Sequence, residues 1–241
     1  MPFASADGTA TPFMDALFTA TSATSLTGLV TVDTGSHWSI AGRVIVITLI
    51  QVGGLGIMSI ASLTGMLLTG RVKLRSRYST AAEGRPILEG GVRATLVATL
   101  LLTFAFELFV AVILFFRFMV EYDMPVLSAA GEGIFHAISA FNNAGFGLRS
   151  DSLISYNSDG WILLPLAGAL MIGGLGYPVL SELVGRSRER FRGLLRGTPV
   201  SARRLSVTTR ITLAGTTFLV LSAMALIAVL EWRGFLADMS T

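Results

Sequence analysis

The sequence predicts an all-α membrane protein built from repeated units, each a span, a short re-entrant helix with its loop, and a second span. Three observations carry this reading. Residues 21–29, Thr-Ser-Ala-Thr-Ser-Leu-Thr-Gly-Leu, return 117 positions later as Ile-Ser-Ala-Phe-Asn-Asn-Ala-Gly-Phe at 138–146. Val-Gly-Gly-Leu-Gly at 52–56 returns as Ile-Gly-Gly-Leu-Gly at 172–176, and near-constant spacing between two motif pairs marks a duplicated architecture. Apolar residues make up 52% of the chain and charged residues 14%, with a mean hydropathy of +0.70. A soluble domain of this length has no need of so much apolar material.

A hydrocarbon core about 30 Å thick takes about 20 apolar residues in a helix. Four stretches qualify: 44–68, 94–116, 161–181 and 211–230. Glu107 is the one charged residue within them. The absence of cysteine excludes disulfides and thiolate metal sites. Residues 1–12 lack the basic start and apolar core of a signal peptide, so the spans themselves direct insertion. Arg71, Lys73, Arg75, Arg77, Arg85 and Arg93 follow the first span, and eight arginines from Arg186 to Arg210 follow the third. By the positive-inside rule both segments face the cytoplasm. The opposite connections carry Asp33, Glu121, Asp123, Glu132, Asp151 and Asp159, and face outward. The net charge of +3 therefore reads as topology and headgroup contact rather than nucleic-acid binding.

Residues 12–24 read as a helix, with Thr11 as N-cap, Pro12 at the first helical position and Asp15 in the first turn. At about 1.5 Å per residue it reaches roughly 20 Å, too short to cross. It runs into Ser25, Leu26, Thr27 and Gly28, and the chain returns to the acidic side. The second copy, 129–141, runs into Asn142, Asn143, Ala144 and Gly145. Irregular backbone at membrane depth persists only when buried in protein or lining a wet cavity, which a pore helix followed by an extended loop satisfies.

The expected organisation is a first repeat at 1–69 without its outer span, a basic loop at 70–92, a complete second repeat at 93–184, a basic loop at 185–209, and the first span of a third repeat at 210–241. Arg210-Ile-Thr-Leu matches Arg93-Ala-Thr-Leu at the same spacing of 117. An outer span is expected before Met1, as in a piece of a longer design.

The run from Phe18 to Gly35, Gln51-Val-Gly-Gly-Leu-Gly, and Phe135-His-Ala-Ile-Ser-Ala-Phe-Asn-Asn-Ala-Gly-Phe resemble the first two repeats of the Trk/Ktr/HKT superfamily of potassium transporters, most closely its bacterial Ktr branch. The resemblance covers essentially the whole chain. It implies a potassium-channel-like fold, four repeats around one pore in the plasma membrane, and potassium uptake with a filter glycine from each pore loop, here Gly28 and Gly145. It also implies a homodimer, a cytosolic RCK-type nucleotide-binding ring that regulates flux, and no cofactor beyond the transported ion, with sodium dependence left open.

Carbonyls with hydroxyl or amide neighbours can replace the hydration shell of potassium while releasing it readily. The expected lining is Ser25, Leu26, Thr27 and Gly28 from the first loop and Asn142, Asn143, Ala144 and Gly145 from the second. Gly53, Gly54 and Gly56, and equally Gly173, Gly174 and Gly176, read as close helix packing, since an uncharged apolar run with no preceding strand is not a nucleotide loop. Glu107 is expected to have a structural partner, Arg117 or a helix dipole; His136 a hydrogen-bonding role in packing; and His37 beside Trp38 an interfacial setting. No nucleophile, base and orienter occur together, so an enzyme is not expected. The alternative to a conducting subunit is a nonconducting membrane scaffold or fragment that needs a complementing chain.

Overall fold

The computed structural model describes residues 2–56, 91–196 and 205–231. Those residues form helices joined by turns and loops, with an isolated bridge between Ser5 and Trp38. In chain order they are α1 (Phe13–Ser25), α2 (Thr34–His37), α3 (Ile40–Gly56), α4 (Gly91–Glu121), α5 (Val126–Phe141), α6 (Gly160–Leu175), α7 (Tyr177–Arg196) and α8 (Val207–Glu231). The chain divides into two units, Met1–Gly174 and Leu175–Thr241.

Among the described residues, Val97–Glu121 and Val207–Leu230 are the helices long and apolar enough to cross a bilayer on their own. The expected spans 94–116 and 211–230 fall inside α4 and α8. The span expected at 44–68 is helical through Gly56; its remainder lies outside the described residues, as do residues 70–90 of the first basic loop, 197–204 of the second, and 232–241.

The span expected at 161–181 is interrupted. Helix α6 ends at Leu175, Gly176 takes a φ of +78°, and α7 starts at Tyr177. Pro178 gives the reason: with no N–H to donate back to α6 it cannot continue that helix, whereas in the first turn of α7 its missing donor costs nothing, and Gly176 supplies the left-handed position. The basic segment expected as a loop from 185 is helical through Arg196. Arginine and glutamate are good helix formers, so a run of charge does not by itself end a helix.

The start of α1 also differs. Pro12, not Thr11, is the capping residue and makes no side-chain cap bond. Thr11 Oγ1 instead lies 3.0 Å from His37 Nε2, which ties the entry of α1 to α2 and competes with capping.

The core of the first unit gathers Ala23 from α1, Val46 and Ile50 from α3, Phe135 from α5, and Ala144 and Phe146 from the loop after α5. Helix α5 packs on α4, with Phe106 stacked on Phe141 at 6.2 Å between ring centres. Large apolar side chains on the remainder of α4, among them Leu101, Leu108 and Phe109, are exposed, as a lipid-facing surface requires.

The closest helix crossings rest on two repeat-related glycines. A Cβ on Gly53 would lie 2.1 Å from the carbonyl oxygen of Thr24, and one on Gly173 would lie 1.8 Å from that of Phe141. Thr24 and Phe141 hold equivalent places at the ends of α1 and α5, so each repeat sets a glycine of the helix after its loop on the last turn of the helix before it. Gly53→Ala and Gly173→Ala should each lower stability by about 1–3 kcal/mol through overpacking. Gly131→Ala and Gly168→Ala, where a Cβ meets nothing within 4 Å, should be neutral or gain up to about 1 kcal/mol of helix propensity. Thermal unfolding in detergent distinguishes the two pairs.

A polar clamp ties α4 to the start of α6. Arg117 Nε donates to Asp159 Oδ2 at 2.8 Å, Tyr122 OH donates to the same oxygen at 3.2 Å, and the Trp161 N–H donates to Oδ1 at 2.9 Å, making Asp159 the N-cap of α6. Burial pushes the Asp159 carboxyl up, but the bonds from Arg117, Trp161 and Tyr122 together hold it below its ordinary value of 3.8. A carboxylate favoured by folding contributes fully above that ordinary value and loses its contribution as pH falls through the lower folded one. Asp159→Asn keeps an acceptor for the cap and removes the ion pair. It should cost about 2 kcal/mol near neutral pH, and the deficit should shrink as unfolding is measured at progressively lower pH below 3.8.

Candidate functional site

Helices α1 and α5 end in the same way. Leu26 takes a φ of +57° and Asn143 a φ of +57°, the left-handed conformation that closes a helix; it falls on the C-cap of α1 and one residue past the C-cap Asn142 of α5. The Leu26 N–H donates to Ala23 O at 3.4 Å and the Thr27 N–H to Ser22 O at 3.0 Å; the Asn143 N–H donates to Ala140 O at 3.0 Å and the Ala144 N–H to Ser139 O at 2.8 Å. Every partner in the second set lies 117 positions after its counterpart. Two residues beyond each left-handed position, Gly28 and Gly145 take φ of +76° and +75°, values that L side chains resist. The duplication seen in sequence is therefore a duplication of backbone dihedrals.

The two loops touch at these glycines. A Cβ on Gly28 would lie 2.6 Å from the Ala144 carbonyl oxygen and 3.2 Å from Gly145 Cα. The loops follow helix C-termini, whose last carbonyls lack intrahelical partners and carry partial negative charge. Ser25, Thr27, Asn143 and Gly145 are exposed, Leu26 and Gly28 are half-buried, and Asn142 and Ala144 are buried. Ser25 Oγ donates to Thr21 O at 2.8 Å and lies 2.6 Å from Thr27 Oγ1, so the hydroxyls of the first loop cluster at its surface. All eight expected lining residues thus occupy two neighbouring loops, with Asn142 and Ala144 turning their side chains into the protein.

Side chains fasten the second loop more firmly than the first. Ser139 Oγ donates to Phe146 O at 2.7 Å, whereas the Oγ of Ser22, its counterpart, is buried without a hydrogen-bond partner among the described residues. Asn142 Nδ2 donates to Glu107 Oε1 at 3.0 Å, faces Gln51 Oε1 at 3.2 Å, and lies 2.9 Å from its own helix carbonyl at Ile138. Gln51 Nε2 donates to Glu107 Oε2 at 3.2 Å. This buried triad joins α3 of the first repeat, α4 of the second and the second loop.

The partner expected for Glu107 is corrected here. Arg117 does not reach it; Arg117 pairs with Asp159 and, at 3.0 Å, with Glu121. Ten residues along one helix is about 15 Å, beyond any side-chain contact. The sequence signal for the true partners was Gln51, the polar residue opening the glycine motif in an otherwise apolar run.

His136 packs as expected, with Nδ1 2.9 Å from Glu132 O and its ring beside Phe118 and Phe135. His37 meets Trp38 edge to face at 4.9 Å. Gly54 faces Asn142 Oδ1, where a Cβ would lie 1.8 Å away, whereas at Gly56 and Gly174 a Cβ meets nothing within 4 Å among the described residues and Gly176 serves the helix break. The described residues thus show close packing at Gly53, Gly54 and Gly173. No group of three or more His, Cys, Asp or Glu able to hold a metal occurs among the described residues.

Known proteins are similar to this sequence. The family described as TrkH, cation transport protein, matches residues 3–235. Ktr system potassium uptake protein B of Bacillus subtilis (strain 168) is 37% identical over 221 residues, covering 91% of this chain and 46% of the relative. The protein of the same name from Vibrio alginolyticus is 39% identical over 182 residues, covering 75% and 39%. Potassium/sodium uptake protein NtpJ of Enterococcus hirae is 30% identical over 235 residues, covering 97% and 49%. The chain spans about half or less of the length of these relatives. Long apolar helices and a match over nearly the whole chain agree: this multi-pass plasma-membrane protein belongs to the TrkH cation transport family.

Proposed function

We propose that the chain supplies two pore loops of a potassium uptake system, with α1 and α5 as pore helices and Gly28 and Gly145 as filter glycines. The observation that carries this reading is the meeting of two loops with matching left-handed turns and matching positive-φ glycines, both set at the carbonyl-rich ends of short helices. Carbonyl oxygens at such ends favour a cation and hold it weakly enough for passage. The lining comes from Ser25, Leu26, Thr27 and Gly28 and from Asn142, Asn143, Ala144 and Gly145, mainly through backbone oxygens. The relatives named for potassium or potassium/sodium uptake support potassium as cargo and a sodium dependence as compatible. The protein acts as a transporter and not an enzyme, and it needs no cofactor. Its working form is a homodimer with a cytosolic RCK-type nucleotide-binding subunit, in keeping with relatives named as members of a Ktr system.

The test is potassium uptake in a host lacking its own uptake systems, with the complete reading frame expressed and membrane levels matched. Gly28→Ser and Gly145→Ser should each weaken potassium affinity or selectivity over sodium by about tenfold or more, because a side chain disfavours the required φ and displaces the facing carbonyls. Wild-type affinity and selectivity in both variants at equal abundance would reduce these glycines to turn residues and leave a nonconducting scaffold as the reading.

The triad behind the second loop gives a separate expectation. Glu107→Ala leaves the Asn142 amide short of an acceptor, a loss of about 1–3 kcal/mol where the group is buried. It should lower potassium selectivity in the same direction as Gln51→Ala. The double variant should fall short of the sum of the two, since both act through Asn142. Additive losses would separate the two residues.

A further inference from the structure

We infer that the second unit carries a binding site for the phosphodiester headgroup of an anionic phospholipid, formed by Arg186, Arg190 and Arg210. On α7, Leu183, Arg186, Ser187 and Arg190 follow the three- and four-residue spacing that places side chains on one helix face. With Leu205 and Arg210 they line a cavity of about 570 Å3, within the range of roughly 300–1,000 Å3 common to small-ligand sites. Arg186 is half-buried, and Arg190 and Arg210 are exposed.

None of these three guanidinium groups forms a salt bridge among the described residues. Two acids share the helix: Glu189, exposed beside Arg190, forms no salt bridge with these arginines among the described residues, and Glu182, whose charge acts on Arg186, is bonded to the start of α8. It accepts from the Ser206 N–H at 2.7 Å, from Ser206 Oγ at 2.7 Å and from Thr209 Oγ1 at 2.5 Å. Those bonds tie the start of α8 to α7 and hold Arg210 against the α7 arginines. Three like charges lining one cavity repel one another, and an anion between them removes the repulsion. Arginine suits phosphate in particular, because its planar fork of donors matches two phosphate oxygens.

The surroundings select a lipid over a soluble anion. Arg210 lies in the first turn of α8, a span none of whose apolar window is buried by protein, and Val207 and Ile211 beside it are exposed. Past Arg190 on α7, Phe191, Leu194 and Leu195 are exposed as well. Cations thus sit where a lipid-facing span begins, the depth of headgroups, with apolar side chains placed for the acyl chains. Positive charge at a span's end marks the cytoplasmic face, where anionic lipids provide the complementary surface.

The test is native mass spectrometry of the intact protein in detergent, titrated with phosphatidylglycerol, with phosphatidylcholine of the same acyl chains, and with inorganic phosphate. Phosphatidylglycerol should bind in preference to phosphatidylcholine. Each single change among Arg186→Ala, Arg190→Ala and Arg210→Ala should weaken it about fivefold, and the triple change about 100-fold. Arg188→Ala and Arg192→Ala, on the same helix but outside the cavity lining, should alter binding less than twofold. A triple lysine variant keeps the charge but not the planar fork and should bind phosphatidylglycerol more weakly than the native protein yet well above the triple alanine variant, which guards against a triple alanine protein that fails to fold. Equal binding of the two lipids, equal loss from the Arg188 and Arg192 changes, or saturation by inorganic phosphate with no preference for lipid would each overturn the assignment.

Discussion

The architecture depends on the approach of a helix to a carbonyl group. A short helix inside a membrane protein ends in carbonyls that have no partner in the next turn, and the bilayer offers no water to solvate them. Gly53 and Gly173 let the following helix lie directly against the carbonyls of Thr24 and Phe141, so the last turn is covered by protein. Any side chain at these positions would open the crossing and pull Ile50, Ala144 and Phe146 out of register. The left-handed helix ends at Leu26 and Asn143, the turn of each loop and the meeting of Gly28 with Gly145 all lie downstream of that contact.

The two repeats agree in backbone and differ in side chains. Cap hydrogen bonds and positive-φ glycines match position by position. The hydroxyl of Ser139 nonetheless closes on its loop while that of Ser22 does not, and a buried carboxamide at Asn142 stands where the first repeat has the exposed hydroxyl of Ser25. The carbonyl-lined filter proposed above tolerates this divergence, because every residue brings the same carbonyl. What must persist is the dihedral path that aims it. Side chains behind the loops were free to specialise, and in the second repeat they became an anchoring triad.

This division explains what the sequence disclosed. Gly28, Gly145, Gly53 and Gly173 were legible because a demand on backbone geometry restricts a position to glycine, and a duplication repeats the demand at a fixed interval. The α4 and α8 spans were legible because the bilayer imposes a length on apolar runs. The triad was not legible: Glu107 lies 35 residues from Asn142 and 56 from Gln51, and no periodicity connects them. The pairing of Glu107 with Arg117 could have been rejected from helix rise alone. The break at Gly176 was legible in the Gly-Tyr-Pro sequence, but hydropathy, which averages over a window, carried the span through it. Thr11 shows a further limit, since a residue suited to capping was taken by His37 from another element.

On the pore reading proposed above, the placement of Glu107 suits the electrostatics of ion passage. A carboxylate in the pathway would hold a monovalent cation by full Coulombic attraction in a medium of low dielectric constant, and strong binding slows release. Helix-end carbonyls offer partial charges, enough to offset lost hydration and weak enough to let the ion go. Glu107 is buried behind the second loop, with its oxygens directed to Asn142 and Gln51. The carboxyl group thereby orients an amide that fixes the loop. In the pore proposed above, a carboxyl group held behind the carbonyls sets their geometry without competing for the cation.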